Sequence, residues 1–185
     1  MSSQGWYESL VSSQADGAAI TAAAETSCIP PAAVITLPVG YFKNLGQKII
    51  VRATGLISSV NPTPGTARFK VKLGATIAFD GLAILLDPVA ARTNVGWMLN
   101  IELTVRVIGS SASLIGSGSW ICENISGVTA TPPKSAAVAI LPWNSAPAAG
   151  ATFNSAATQA LDLTFTQTAA TGSLTCQTYE VVACN

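Results

Sequence analysis

The sequence predicts an all-β protein: an antiparallel β-sandwich of the jelly-roll type with an extended N-terminal arm. Three observations predict it. Apolar residues alternate with polar ones along several segments of strand length. Clusters of Gly, Pro, Asn and Ser punctuate those segments at regular intervals. No segment long enough to matter carries a helical period. Residues 1–17 read as the arm and residues 18–185 as one β-sandwich domain. An immunoglobulin-like sandwich is the alternative, but Trp97 lies at over-long intervals from Cys28 and Cys122 for that pattern.

The arm is polar, with Trp6, Tyr7, Leu10 and Val11 interspersed. Tyr7, Leu10 and Val11 have an i, i+3, i+4 spacing over too short a stretch to specify a helix. The segment reads as a packed leader strand or as an arm that orders on a partner. Residues 18–27 are rich in Ala and Thr, and Ile29-Pro30-Pro31 forces extended chain. Strand pattern begins at 33–37. Gly40, Asn44 and Gly46 mark a turn-rich connection.

Residues 47–60 form a long strand, with Ile49, Val51, Ala53 and Gly55 alternating against Lys48, Ile50, Arg52 and Thr54. Asn61-Pro62-Thr63-Pro64-Gly65 stops it, because prolines cannot donate to a sheet ladder. Residues 68–73 place Phe69, Val71 and Leu73 opposite Arg68, Lys70 and Lys72. These two strands are expected to pair as a hairpin with one wet face. Residues 74–79 continue or bend the second strand. Residues 82–86 are a short apolar run ended by Asp87-Pro88.

Residues 94–109 carry the clearest strand pattern. Ile101, Leu103, Val105 and Val107 face one way; Asn100, Glu102, Thr104 and Arg106 face the other. Burying each of those apolar side chains contributes roughly 1.5–3 kcal/mol. After a turn at 110–113 the chain returns along 114–125, where Gly116 and Gly118 suggest a bulge or a close backbone approach. A loop at 129–134 precedes a short strand at 136–141, which Pro142 stops. Residues 143–155 are loop. Leu161, Leu163 and Phe165 then alternate with Asp162, Thr164 and Thr166, and 173–184 is expected to close a C-terminal hairpin with that strand.

The composition excludes most chemistry. The chain has no histidine, and only nine basic and nine acidic residues in 185. Without imidazole there is no Ser-His-Asp triad and no histidine metal site. Glu102 and Glu123 lie on strands expected to pair, but read more simply as polar-face and strand-end residues than as a glycosidase pair. Asp80-Gly81 and Asp87-Pro88 are turn signals without calcium-loop spacing. Gly116-Ser117-Gly118 lies within a strand and so is no phosphate loop. No enzyme activity, cofactor or metal is expected.

Zero net charge argues against nucleic-acid binding and against attachment to anionic membranes. No apolar run approaches the roughly 20 residues of a membrane span. The first residues lack the basic start of a secretory signal, so a cytoplasmic origin is expected. Weak self-repulsion favours assembly over a free monomer.

Four cysteines remain: Cys28, Cys122, Cys176 and Cys184. They form no CxxC pair, and buried free thiols are the simplest expectation. Cys176 and Cys184 would share one side of an uninterrupted strand, too far apart to bond each other. If oxidised, each must reach Cys28 or Cys122. Trp97 and Trp120 fall within strands and read as core. Trp6 and Trp143 are the aromatic candidates for exposed protein contact.

Several segments resemble structural proteins of tailed bacteriophages. They include Leu10 to Gly17, the turn Leu37-Pro38-Val39-Gly40-Tyr41-Phe42 running into the strand 46–58, and the Pro64-Gly65-Thr66 turn before Phe69 to Gly74. Thr93-Asn94-Val95-Gly96-Trp97 leading into Glu102 to Gly109 also fits. The resemblance is greatest to capsid decoration, or cement, proteins. It implies a homotrimer on the outside of the capsid, assembled in the host cytoplasm and clamping the major capsid protein of the same phage. The contacts it implies are Trp6, Tyr7, Leu10 and Val11 and the loop near Trp143. The four cysteines depart from the pattern: they either cross-link the matured particle or pack. Another virion part (head fibre, tail or baseplate) and a carbohydrate-binding jelly roll are the alternatives.

Overall fold

The computed structural model describes residues 6–126 and 138–184. The strands are β1 (Tyr7–Ser12), β2 (Thr26–Ser27), β3 (Ile35–Leu37), β4 (Lys48–Ser59), β5 (Thr66–Leu73) and β6 (Thr76–Asp80). They continue as β7 (Ile84–Leu85), β8 (Arg92–Val107), β9 (Ser113–Cys122), β10 (Val138–Leu141), β11 (Gln159–Gln167) and β12 (Ser173–Cys184). Among the described residues one 3-10 turn, Pro31–Ala33, follows the extended Pro30. The loop expected at 129–134, and the start of the strand expected at 136–141, lie outside the described residues.

The strands make an antiparallel β-sandwich. The first sheet has the order β1-β12-β4-β8-β9-β10. The second has the order β2-β11-β5-β6, with β3 also pairing β11 and β7 pairing β5. The inner faces meet in one apolar core. Phe69 is at its centre. Its ring lies 5.2 Å from Trp97, 5.2 Å from Trp120 and 5.0 Å from Phe165, centroid to centroid, so side chains from both sheets converge on it. Trp97 and Trp120 are core residues, as their strand positions imply.

Two expected hairpins do not form. β4 lies between β12 and β8, whereas β5 lies between β11 and β6. The turn at 61–65 therefore carries the chain from one sheet to the other. β11 and β12 are separated in the same way. The reason is geometric. Alternation says which side of a strand is buried, and a strand followed by an arch to the facing sheet shows the same alternation as one followed by a hairpin. The β8–β9 hairpin does form, from Trp97 opposite Cys122 to Val107 opposite Ser113. A bulge between Val105 and Val107 turns Val107 outward to solvent, against the expected parity.

Over Tyr7–Ser12 the N-terminal segment is a packed leader strand, the first of the two readings its sequence allows; the extended arm is not seen among the described residues. β1 pairs with β12, and the pairing carries on beyond it: Ser13, Gly17 and Ile20 donate their N–H groups to Tyr179, Cys176 and Leu174, each at 2.8 Å. Leu10 and Val11 account for this, since both pack against the core. Gly116 marks a close approach, as its position suggested. A β-carbon there would lie 2.4 Å from Phe79 Cδ2 and 2.7 Å from Leu103 Cδ2.

Candidate interaction surface

The outer face of the first sheet carries the arrangement best suited to binding. Strand register places its outward side chains in rows across the sheet. One row runs Val138, Ile121, Met98, Thr54, Thr178. The next runs Ile140, Ser119, Asn100, Arg52, Glu180, Ser12. The third contains Ser117, Glu102, Ile50, Val182 and Ser9.

One corner of this face is apolar and exposed. Ile140 is 67% exposed, Met98 57%, Val138 51% and Ile121 41%. They are cross-strand neighbours on β8, β9 and β10, so they form one patch rather than scattered residues. Beside it lies a polar field. Arg52 Nη1 meets Glu180 Oε2 at 3.5 Å, and the Thr54 and Thr178 hydroxyls are 2.6 Å apart. A shallow, open depression of about 550 Å³ spans patch and field, bordered by Met98, Ile121, Asn100, Arg52 and Glu180. Lys48 pairs with Glu102, and this carboxylate holds the Lys48 ammonium above its ordinary pKa. Every charge named on the face has an opposite partner, so the face is locally neutral. Ile50, Val182 and Cys184 add a small buried apolar cluster to it.

The outer face of the second sheet is different. Glu25 receives Lys70 and Lys72, and Arg68 forks onto Asp80. The hydrogen bond from Lys70 draws the Glu25 carboxyl below its usual pKa. Burial pushes Asp80 up, but the Arg68 guanidinium and the Leu82 N–H together outweigh it and the carboxyl ends low. Asp87 also ends low, its burial outweighed by the Val89 N–H and by Arg92. These acids act as turn caps and ion-pair partners. Glu102 and Glu123 do not meet: Glu102 stands opposite Ser117, while Glu123 follows Cys122 at the Trp97 end, about 20 Å along the ladder. Among the described residues, no group of three or more His, Cys, Asp or Glu is placed to hold a metal ion. No helix among them is long and apolar enough to cross a membrane.

The expected contact residues are scattered. Trp6 and Tyr7 are exposed, at the β1 edge of the first sheet. Leu10, Val11 and Trp143 are half-buried against the core, and the Trp143 N–H bonds to Gly81 O at 2.9 Å. β1 and β10 are opposite edges of a six-stranded sheet, about 24 Å apart, so the N-terminal residues and the loop after β10 belong to separate surfaces. Met98, Ile121, Val138 and Ile140 were missed. The available signal was an apolar residue at an outward position beside an inward one, as in Trp97-Met98 and Trp120-Ile121.

All four cysteines are free and buried. Burial pushes the Cys122 thiol up to about 11. Cys176 and Cys184 do not share a side of β12. A bulge between Cys176 and Thr178 reverses the parity, so Cys176 enters the core while Cys184 belongs to the outer-face cluster.

In comparison with known protein families, curated proteins and solved structures, nothing matches this chain.

Proposed function

We propose that this chain is a structural protein of a bacteriophage particle that binds the outside of the capsid shell and stabilises it. In this reading the sandwich is of the jelly-roll type. It works as a homotrimer, and its ligand is the major capsid protein of the same phage. The observation that carries the proposal is the apolar corner Met98–Ile121–Val138–Ile140 beside a locally neutral polar field. Such a patch loses apolar surface to a protein partner at little desolvation cost. Several copies linked on a shell add avidity to a modest single contact. The choice of partner rests on the resemblance read in the sequence at Leu37 to Ser58, Thr93 to Trp97 and Glu102 to Gly109.

A carbohydrate-binding role is less well supported. Trp97 and Trp120 face the core, and no tryptophan borders the depression on the first sheet. Cross-linking mass spectrometry on purified particles, with copy number from the same sample, tests the proposal. Hundreds of copies linked to the shell protein through residues near β8–β10 are expected. A few dozen copies linked to tail components would move the chain to the tail, and no association with particles would overturn the virion role.

A further inference from the structure

The end of the sandwich where β1 starts and β8 finishes carries a second apolar surface. Leu45 is 66% exposed and Val39 64%, and Trp6, Val107 and Ile108 are exposed beside them. Val39 and Leu45 directly precede Gly40 and Gly46, whose φ angles of 67° and 84° are left-handed, so both stand on tight turns rather than in strands. Backbone hydrogen bonds hold the segments together. The Gly46 N–H donates to Val105 O at 2.9 Å, which sets Leu45 beside the end of β8. The Gly109 N–H donates to Ser155 Oγ at 2.8 Å, and Ser155 O accepts the Gly40 N–H at 3.1 Å, which ties the residues after β8 to the turn carrying Val39. Trp6, Val39, Tyr41 and Lys43 line one groove of about 230 Å³.

The charges at this end set it apart from the outer faces of the sheets. Among the described residues, Lys43 and Arg106 are the basic side chains without an acidic partner, and both are exposed. Glu8 is exposed and makes no ion pair with a described residue either. It lies two residues from Trp6, on the same side of the extended chain, and so beside the groove that Lys43 lines. One end of the molecule thus offers unpaired charges of both signs next to exposed apolar side chains.

We propose that this end of the sandwich is the surface on which copies of the chain meet. Trp6, Val39 and Leu45 pack against the next copy, and Glu8 of one copy pairs with Lys43 of the next. The occupant follows from the charges. An anionic surface would attract Lys43 and Arg106 but repel Glu8, whereas a second copy brings both signs to both. Zero net charge leaves little repulsion between whole molecules. The apolar side chains supply the attraction, and the rim charges set the register.

This surface is separate from the one proposed to bind the shell. Met98 and Val107 are nine residues apart on β8, about 30 Å, so copies joined at one end leave the Met98–Ile121–Val138–Ile140 corner uncovered. The inference rests on the proposed function only for the number of copies, three.

Sedimentation equilibrium of the purified full-length chain across micromolar concentrations tests it. The wild-type protein is expected to associate reversibly. Val39→Ser combined with Leu45→Ser is expected to weaken association by tenfold or more while the melting temperature shows the variant folded. Glu8→Lys and Lys43→Glu each set like charges across the contact, so each is expected to weaken association by threefold or more at low salt, and the two combined to restore it. Met98→Lys combined with Ile140→Lys is expected to leave association unchanged, so loss of shell binding in that variant is read independently. A wild-type protein that sediments as a monomer throughout, an oligomer that the Val39 and Leu45 changes leave intact, or a double reversal no better than the single ones would overturn the proposal.

Discussion

Met98 and Ile121 stand directly opposite each other on the solvent side of the β8–β9 hairpin, while their chain neighbours Trp97 and Trp120 turn inward onto Phe69. One hairpin thus supplies both the centre of the core and half of the exposed patch. The two jobs are separable by mutation, because they lie on opposite faces of the same strands.

Lysine on the outside is expected to spare the fold and damage binding. Met98→Lys combined with Ile140→Lys places two charges in the apolar patch, at side chains that are more than half exposed. The melting temperature is expected to move by no more than a few degrees, since surface changes usually stay within about 0.5 kcal/mol each. Rebinding to particles stripped of this protein is expected to fall by tenfold or more, read by quantitative gel of pelleted particles. Undiminished rebinding would remove the patch from the interface.

Alanine on the inside is expected to do the reverse. Phe69→Ala removes the ring shared by Trp97, Trp120 and Phe165. The expected cost is about 3–5 kcal/mol in urea denaturation. Tryptophan emission of the folded variant is expected to shift to the red as water reaches the vacated space.

Two glycines provide a paired test of packing. At Gly116 a β-carbon would collide with Phe79 and Leu103, whereas at Gly96 it would meet nothing within 4 Å. Gly116→Ala is expected to destabilise by about 1–3 kcal/mol. Gly96→Ala is expected to be neutral or slightly stabilising, since alanine restricts the unfolded chain. Equal effects at the two sites would contradict the close contact at residue 116.

The pH profile of stability is expected to be flat through neutrality and to fall on both sides. No histidine titrates between pH 5 and 8. On the acid side Glu25, Asp80 and Asp87 have folded-state values below their ordinary ones, and together they outnumber Asp162, which burial raises. Their contribution is present above the unfolded carboxylate range, near pH 4, and is lost as pH falls below it. On the alkaline side Tyr41 is pushed up to about 12 and Cys122 to about 11, each mainly by burial. The unfolded chain releases these protons first, so stability drops as pH rises from about 9. Urea midpoints from pH 3 to 11 check the shape. A step between pH 6 and 7 would contradict it.

Much of this architecture was readable from alternation and punctuation. The all-β class, the strand expected at 94–109 with its returning partner, and the inward Trp97 and Trp120 follow from a period of two bounded by turn residues. Apart from the β8–β9 hairpin, pairing was not readable. Lys48–Ser59 and Thr66–Leu73 are each consistent with a hairpin, and only the arrangement of the whole sandwich sends them to different sheets. Parity also fails at bulges, and the one after Cys176 separated that residue from Cys184. The patch was harder still, because Met98 and Ile121 look like surplus core residues until register shows which way they point.

Tyr7 stands opposite Cys184 at one corner of the first sheet, whereas β4 runs between two neighbours for its whole length. These positions respond differently to mechanical load. Tension applied between residues 7 and 184 opens the β1–β12 ladder rung by rung, like a zipper, and needs little force at any moment. Tension applied along β4 strains the ladders to β12 and β8 together, in shear. The molecule is therefore soft when pulled at that corner and stiff along its middle strand, so in the proposed role it would restrain an expanding shell only if the shell grips the sheet across β4.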